Sequence, residues 1–243
     1  MPGLLLGILL GASLDGAPEA VAKGDFTGAE SAYRAALDAG NTSADLYYNL
    51  GNVIYRQQRV AEAILAWRRA GVLAPRDPDV QANLQFARRG VIDDVVVPDP
   101  VPAWAPWQAA LTANEAQWLG AWLAGLGLLG VAFRRRTAAV PLAALGATAV
   151  AVGMVLAIGG VASARLPPAA VVLAAEGPGR SDLGGGVDLF VLHAGAEVGV
   201  ADEAAGQVLV VLPDGRRGWV AGTALGRVDP RAGFPSGVPS VTP

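Results

Sequence analysis

ADLYYNLGNVIYRQQRVAEAILAWRRAGVLAPRD, residues 44–77, is the stretch whose reading decides the architecture. Apolar residues recur in it every three or four positions, the spacing of one face of an α-helix. The pattern predicts two amphipathic helices, Ala44 to Gln57 and Val60 to Ala74. Tyr47, Leu50, Gly51 and Ile54 share one face of the first helix, and Ala63, Trp67 and Ala70 share one face of the second. Large side chains opposite Gly51 and Ala63 let the pair pack closely. Pro75 ends the unit, because proline cannot continue the helical hydrogen-bond ladder.

The same spacing appears once more. Ala29, Tyr33 and Ala36 fall 34 residues before Ala63, Trp67 and Ala70. They predict a preceding unit whose degenerate first helix runs roughly from Ala17 to Lys23. Asp77 to Arg89 then forms a closing helix, with Val80, Leu84 and Phe86 available for packing. This pattern resembles the tetratricopeptide repeat at every signature position, with Tyr47 and Trp67 in place of the usual aromatics. One such unit cannot bury its own apolar face, so stacking is expected. The resemblance implies a peptide-binding concave face built by the first helix of each pair. Asp45, Tyr48, Asn52, Tyr55 and Arg56 share that stripe, and Asn83 of the closing helix joins them. Asn52 and Asn83 can hydrogen-bond a peptide backbone or carboxylate, and Arg56 can pair with an acid. The competing reading is that these are solvated polar residues, or that they pack against the chain's own linker.

Composition points to a second environment. Of 243 residues, 53% are hydrophobic and 16% charged, against about 25% charged in an average globular chain. Leu4 to Leu14 has the length of a signal peptide but lacks preceding basic residues. Residues 1–16 are therefore expected to be a signal-like or anchor segment, the alternative being a first buried helix. Ala116 to Phe133 and Thr137 to Ser163 are long apolar segments flanking Arg134-Arg135-Arg136. Together they predict a transmembrane hairpin over 116–163 with its arginine tip in the cytoplasm. Trp104, Trp107, Trp118 and Trp122 are expected as interfacial anchors. Gly120, Gly125, Gly127 and Gly130 suit close helix contact. The predicted location is the bacterial inner membrane, with both folded ends extracytoplasmic.

Beyond Arg165 the period changes. Ala169 to Ala175, Asp188 to His193, Glu197 to Ala201, Gln207 to Leu212 and Gly218 to Ala221 read as short strands. Pro213-Asp214-Gly215-Arg216 is a tight-turn sequence. Gly177 to Gly186 reads as a flexible loop. Five strands in so short a span predict a small barrel. "LFVLHAGAEVGV" and "VLPDGRRGWVAGTAL" resemble bacterial SH3-like domains, with Trp219 helping to close the barrel. The expected organisation is multidomain α plus β: a repeat domain at 17–92, a Pro-rich linker at 93–115 (Pro98, Pro100, Pro102 and Pro106), the hairpin, an SH3-like domain at 165–229 and a disordered tail at 230–243.

Several chemistries are excluded. The chain has no cysteine and one histidine, His193. Disulfides, cysteine nucleophiles and multi-histidine metal sites are ruled out. A net charge of −3 and a single lysine, Lys23, do not favour a nucleic-acid partner, which needs a concentrated basic surface. No cofactor, metal or catalytic residue is expected, and His193 reads as a turn or packing residue.

The ordered set of parts, with "LYYNLGNVIYRQQRVAEAILAWRRAGVLAPRDPDVQANLQFAR" and "LTANEAQW", resembles BatE-type proteins of the bacterial aerotolerance operons over nearly the whole chain. The resemblance implies a membrane-anchored interaction scaffold in the envelope that works beside membrane proteins with von Willebrand factor A domains. The alternative is a cell-wall sensor that binds peptidoglycan through the SH3-like domain.

Overall fold

Helix starts are set by side chains that satisfy the free N–H groups of a first turn. Asp25 accepts from Gly28 N at 2.9 Å, Ser43 from Leu46 N at 3.2 Å, and Asp77 from Asp79 N at 2.9 Å, followed by Pro78 in the first turn. These caps open α2 (Phe26–Asp38), α3 (Ala44–Arg56) and α5 (Pro78–Arg88). The short α1 (Ala17–Ala22) precedes them, and α4 (Val60–Leu73) completes the second pair. The computed structural model describes residues 16–93, 111, 113–137, 147–156, 158 and 169–235. The signal-like segment up to residue 15, the prolines of the linker, Trp104 and Trp107 lie outside the described residues. The chain divides into two compact units, Met1–Val97 with Pro167–Pro243, and Pro98–Leu166.

In the first unit the helical core is built by the residues that the periodicity singles out. Ala29, Tyr33, Ala36, Tyr47, Leu50, Ile54, Ala63, Trp67 and Ala70 are all buried. Gly51 lies against the Trp67 indole so closely that a Cβ there would stand 2.6 Å from Cδ1 and Nε1. The α3–α4 approach therefore depends on glycine at this point. On α5, Val80, Leu84 and Ala87 turn inward, whereas Phe86 is 59% exposed. Phe86 follows Leu84 by two positions, which places it on another face of the helix, where it packs on Tyr55 rather than in the core.

Residues 169–235 form a seven-stranded antiparallel sheet: β1 (Ala169–Val172), β2 (Glu176–Arg180), β3 (Asp188–His193), β4 (Glu197–Ala204), β5 (Gln207–Val211), β6 (Arg217–Ala221) and β7 (Leu225–Arg227). The order is β3-β2-β6-β5-β4-β1-β7. Ala170, Val172, Leu192, Val198, Val200, Val210, Val220 and Leu225 share one apolar cluster, so the sheet curls around it. The Asp-Gly turn joins β5 to β6, with Gly215 at φ +87° and Asp214 Oδ1 accepting from Arg216 N at 2.9 Å. Part of the expected flexible loop is strand β2, whose Gly179 lies under the Phe190 ring from β3. Trp219 of β6 pairs with Arg180 of β2 and Leu209 of β5.

Helices and sheet are joined within this unit by a shared core and by buried charge. Val171, Leu173 and Val228 belong to the same apolar cluster as the helices. Glu197, 1% exposed, accepts from Arg88 Nε at 2.7 Å and Arg88 Nη2 at 3.1 Å, and forms an ion pair with Arg68, whose Nε lies 3.1 Å away. Asp93 accepts from the His193 backbone N at 2.5 Å and faces His193 Nδ1 at 3.1 Å. His193 thus sits at the junction of helices and sheet. The expected tail from residue 230 runs against the helices as far as Pro235, and 236–243 lie outside the described residues.

The second unit carries α6 (Ala113–Thr137) and the helical residues 147–156 and 158. A Cβ at Gly153 would stand 2.5 Å from the Gly120 carbonyl and 2.8 Å from Ala124 N, so the two segments cross at small residues. Gly125 meets nothing within 4 Å. No helix among the described residues is long and apolar enough to cross a membrane. The transmembrane hairpin expected over 116–163 is corrected accordingly. α6 opens with Asn114, Glu115 and Gln117 and closes with Arg134–Arg136. The stretch between covers roughly 24 Å at about 1.5 Å per residue, short of a hydrocarbon core of about 30 Å, and its glycines and tryptophans add little hydropathy. The fold class is a helical-repeat region with an antiparallel sheet.

Candidate peptide-binding groove

α3 and α5 lie beside each other as the first helices of successive units, and their polar faces meet. Asn52 Oδ1 accepts from Asn83 Nδ2 at 2.9 Å and from Trp67 Nε1 at 3.2 Å. The two asparagines that the sequence marks as peptide contacts are therefore brought together, but Asn52's carbonyl is engaged within the protein. What the pair offers a ligand is the Asn52 amide NH₂ and the second N–H of Asn83 as donors, and the Asn83 carbonyl as acceptor.

Next to this pair stands an aromatic wall. The Tyr55 ring lies 5.5 Å from Trp67 and 6.1 Å from Phe86, the latter edge to face. Such contacts stabilise by about 0.5–1.5 kcal/mol each beyond burial, so Tyr55 is held in place rather than free to swing. Phe86 ends the wall with its exposed ring. Periodicity missed it because an aromatic on a short closing helix reads as core. The signal that could have found it is its offset from Val80, Leu84 and Ala87. Tyr48 is half-buried against the helical core, whereas Arg56 and Asp45 are exposed. Arg56 sits in the last turn of α3, where a cation is favoured by the helix dipole.

The sheet and its trailing segment take a different set of repeat residues: Arg34, Tyr47, Arg68, Arg69 and Arg88. Tyr48, Asn52, Tyr55, Arg56, Asn83 and Phe86 all remain at least partly exposed. The face so defined has an aromatic wall, an amide pair and a cationic end.

A buried charge network steadies the helices behind it. Glu30 on α2 and Glu62 on α4 lie between Arg34 and Arg59, with Arg59 Nη1 to Glu30 Oε2 at 2.8 Å and Arg34 Nε to Glu30 Oε1 at 2.8 Å. Burial pushes the Glu30 carboxyl up, but hydrogen bonds from Gln57, Arg34 and Arg59 outweigh it and hold the group below its ordinary value. The hydrogen bond to Glu62 raises Arg59. Among the described residues no group of three or more acidic or histidine side chains could hold a metal ion.

Residues 14–84 match the tetratricopeptide repeat family. The matched stretch includes α1 to α4 and most of α5, and the sheet lies outside it. Repeats of this kind present extended concave surfaces for protein partners. No curated protein matches the chain.

Proposed function

We propose that this protein is a non-enzymatic protein-interaction scaffold whose α3–α5 groove binds an extended segment of a partner. The observation that carries the reading is the assembly of Asn52, Asn83, Tyr55 and Phe86 on one accessible face of a repeat. An amide pair suits the alternating donors and acceptors of a peptide backbone, an exposed aromatic suits an apolar side chain, and Arg56 suits an acidic one. The partner segment is accordingly extended, with an apolar residue near Phe86 and an acidic residue near Arg56. The sequence resemblance directs the search for that partner towards proteins with von Willebrand factor A domains in the bacterial envelope.

The packing of sheet on helices supports a further part of the reading. Folded parts joined by a shared core occupy one compartment, and we take both to be extracytoplasmic. The test is crosslinking in intact cells followed by mass spectrometry, comparing the wild type with the Asn52→Ala, Arg56→Ala double variant. The proposal expects a discrete set of partners that the double variant loses. Unchanged partners, or crosslinks confined to residues 169–235, would contradict it.

A further inference from the structure

The repeat already holds one peptide segment, and it is the chain's own. Beyond β7 the backbone runs from Val228 to Pro235 along α2, α3 and α4. Its carbonyls are taken by repeat side chains: Tyr47 Oη donates to Pro230 O at 2.6 Å, Arg69 Nη2 to Gly233 O at 3.2 Å and Arg34 Nη1 to Pro235 O at 2.7 Å. Phe234 is partly buried, with Arg34 4.8 Å and Arg69 5.1 Å from its ring centroid and the Tyr47 ring 6.5 Å away. Arg69 is fully buried.

This is the chemistry of a peptide site rather than of ordinary core packing. Main-chain carbonyls are read by fixed donors, and one aromatic side chain is clamped between two guanidinium groups. Both guanidinium groups are positioned from elsewhere. Arg34 is held by Glu30 and Glu62, and Arg69 is also anchored through Nε to Arg227 O at 3.0 Å. None of the groove residues Asn52, Tyr55, Asn83 or Phe86 takes part, so this is a second site on the repeat.

We propose that Arg34, Tyr47 and Arg69 form a binding site for an extended segment bearing an aromatic residue followed by proline, filled in the resting protein by the chain's own Phe234-Pro235. A partner carrying such a segment gains access by displacing the tail. Tethering gives the tail an effective concentration in the millimolar range, so a free peptide binds well only when the tail's anchor is removed.

The test uses the full chain and a fluorescent peptide of residues 227–235, RVDPRAGFP. Saturable binding is expected to the Phe234→Ala chain, with at least ten-fold weaker binding to the wild type. Adding Arg34→Ala to Phe234→Ala is expected to weaken binding at least ten-fold again. Equal affinity for wild type and Phe234→Ala, or no saturation on Phe234→Ala with its helical circular dichroism intact, overturns the proposal. A measurement on the unaltered chain guards against misfolding of the variant. Unlabelled peptide at millimolar concentration should quicken hydrogen exchange at the amides of residues 231–234, and unchanged exchange there overturns the proposal equally.

Discussion

Glu197→Ala removes the anion that ties the sheet to α4 and α5. The Glu197 side chain is 2% exposed and is ion-paired with both Arg88 and Arg68, whose side chains are 25% and 15% exposed. Deleting one partner of a buried ion pair usually costs about 3–5 kcal/mol, because the other charge is left desolvated. Here the two arginines reach partly into solvent and can recover some hydration. The expected loss is therefore about 2–4 kcal/mol, or a fall in melting temperature of roughly 4–16 °C at this chain length. Glu197→Gln keeps the shape and one acceptor and should lose less. The exposed pair Arg180–Asp188, with side chains 44% and 57% exposed, supplies the control: Asp188→Ala should change stability by about 0.5 kcal/mol or less. Urea unfolding of the full chain, followed by circular dichroism, reads all three. If Glu197→Ala is indistinguishable from Asp188→Ala, the carboxylate does not hold sheet and helices together, and the reasoning fails.

Gly51→Ala should destabilise the repeat by about 1–3 kcal/mol although alanine is the better helix former, because the new methyl meets the Trp67 ring; thermal melts check this. Glu30→Gln should show a pH-dependent penalty. The folded carboxyl titrates below its ordinary value of 4.5, so the ionised group stabilises fully above that value. The stabilisation disappears as pH falls through the folded pKa. The gap between variant and wild type should thus be largest near pH 7 and narrow as pH falls below 4.5; a gap that does not change with pH contradicts the assignment. Phe86→Ala should cost no more than about 0.5–1.5 kcal/mol, the value of its edge-to-face contact with Tyr55, since the ring is otherwise mostly exposed, yet weaken partner binding at least several-fold in a titration.

The helices were legible because burial imposes a strict period on them. Tyr47, Leu50, Ile54, Ala63, Trp67 and Ala70 recur at helical spacing, and each is buried. That Asp45, Asn52 and Arg56 share an outward stripe followed from the same period; that this stripe binds a peptide was implied only by the resemblance to the repeat. The Asn52–Asn83 contact was not readable, because it joins residues 31 positions apart. Strand β2 (EGPGR) was hidden for a different reason. Two glycines and a proline carry no strand signature, and the apolar cover comes from Phe190 on a neighbouring strand. The β4–β5 hairpin turns at Ala205-Gly206 with both φ angles positive, a conformation that alanine does not advertise. Contacts between sheet and helices, such as Arg88 with Glu197, span more than a hundred residues and leave no local pattern. Apolar composition misled in the middle of the chain. The hydrophobic residues between 116 and 163 suggest two spans, whereas polar residues at both ends of α6 shorten its apolar stretch.

The proposed function requires a partner to bind between α3 and α5. Hydrogen–deuterium exchange of the full chain, with and without a partner recovered by crosslinking, tests this most directly. Slowed exchange at residues 44–56 and 78–88 with little change in the sheet is the predicted result. Protection confined to residues 169–235, with α3 and α5 unaltered, would contradict it.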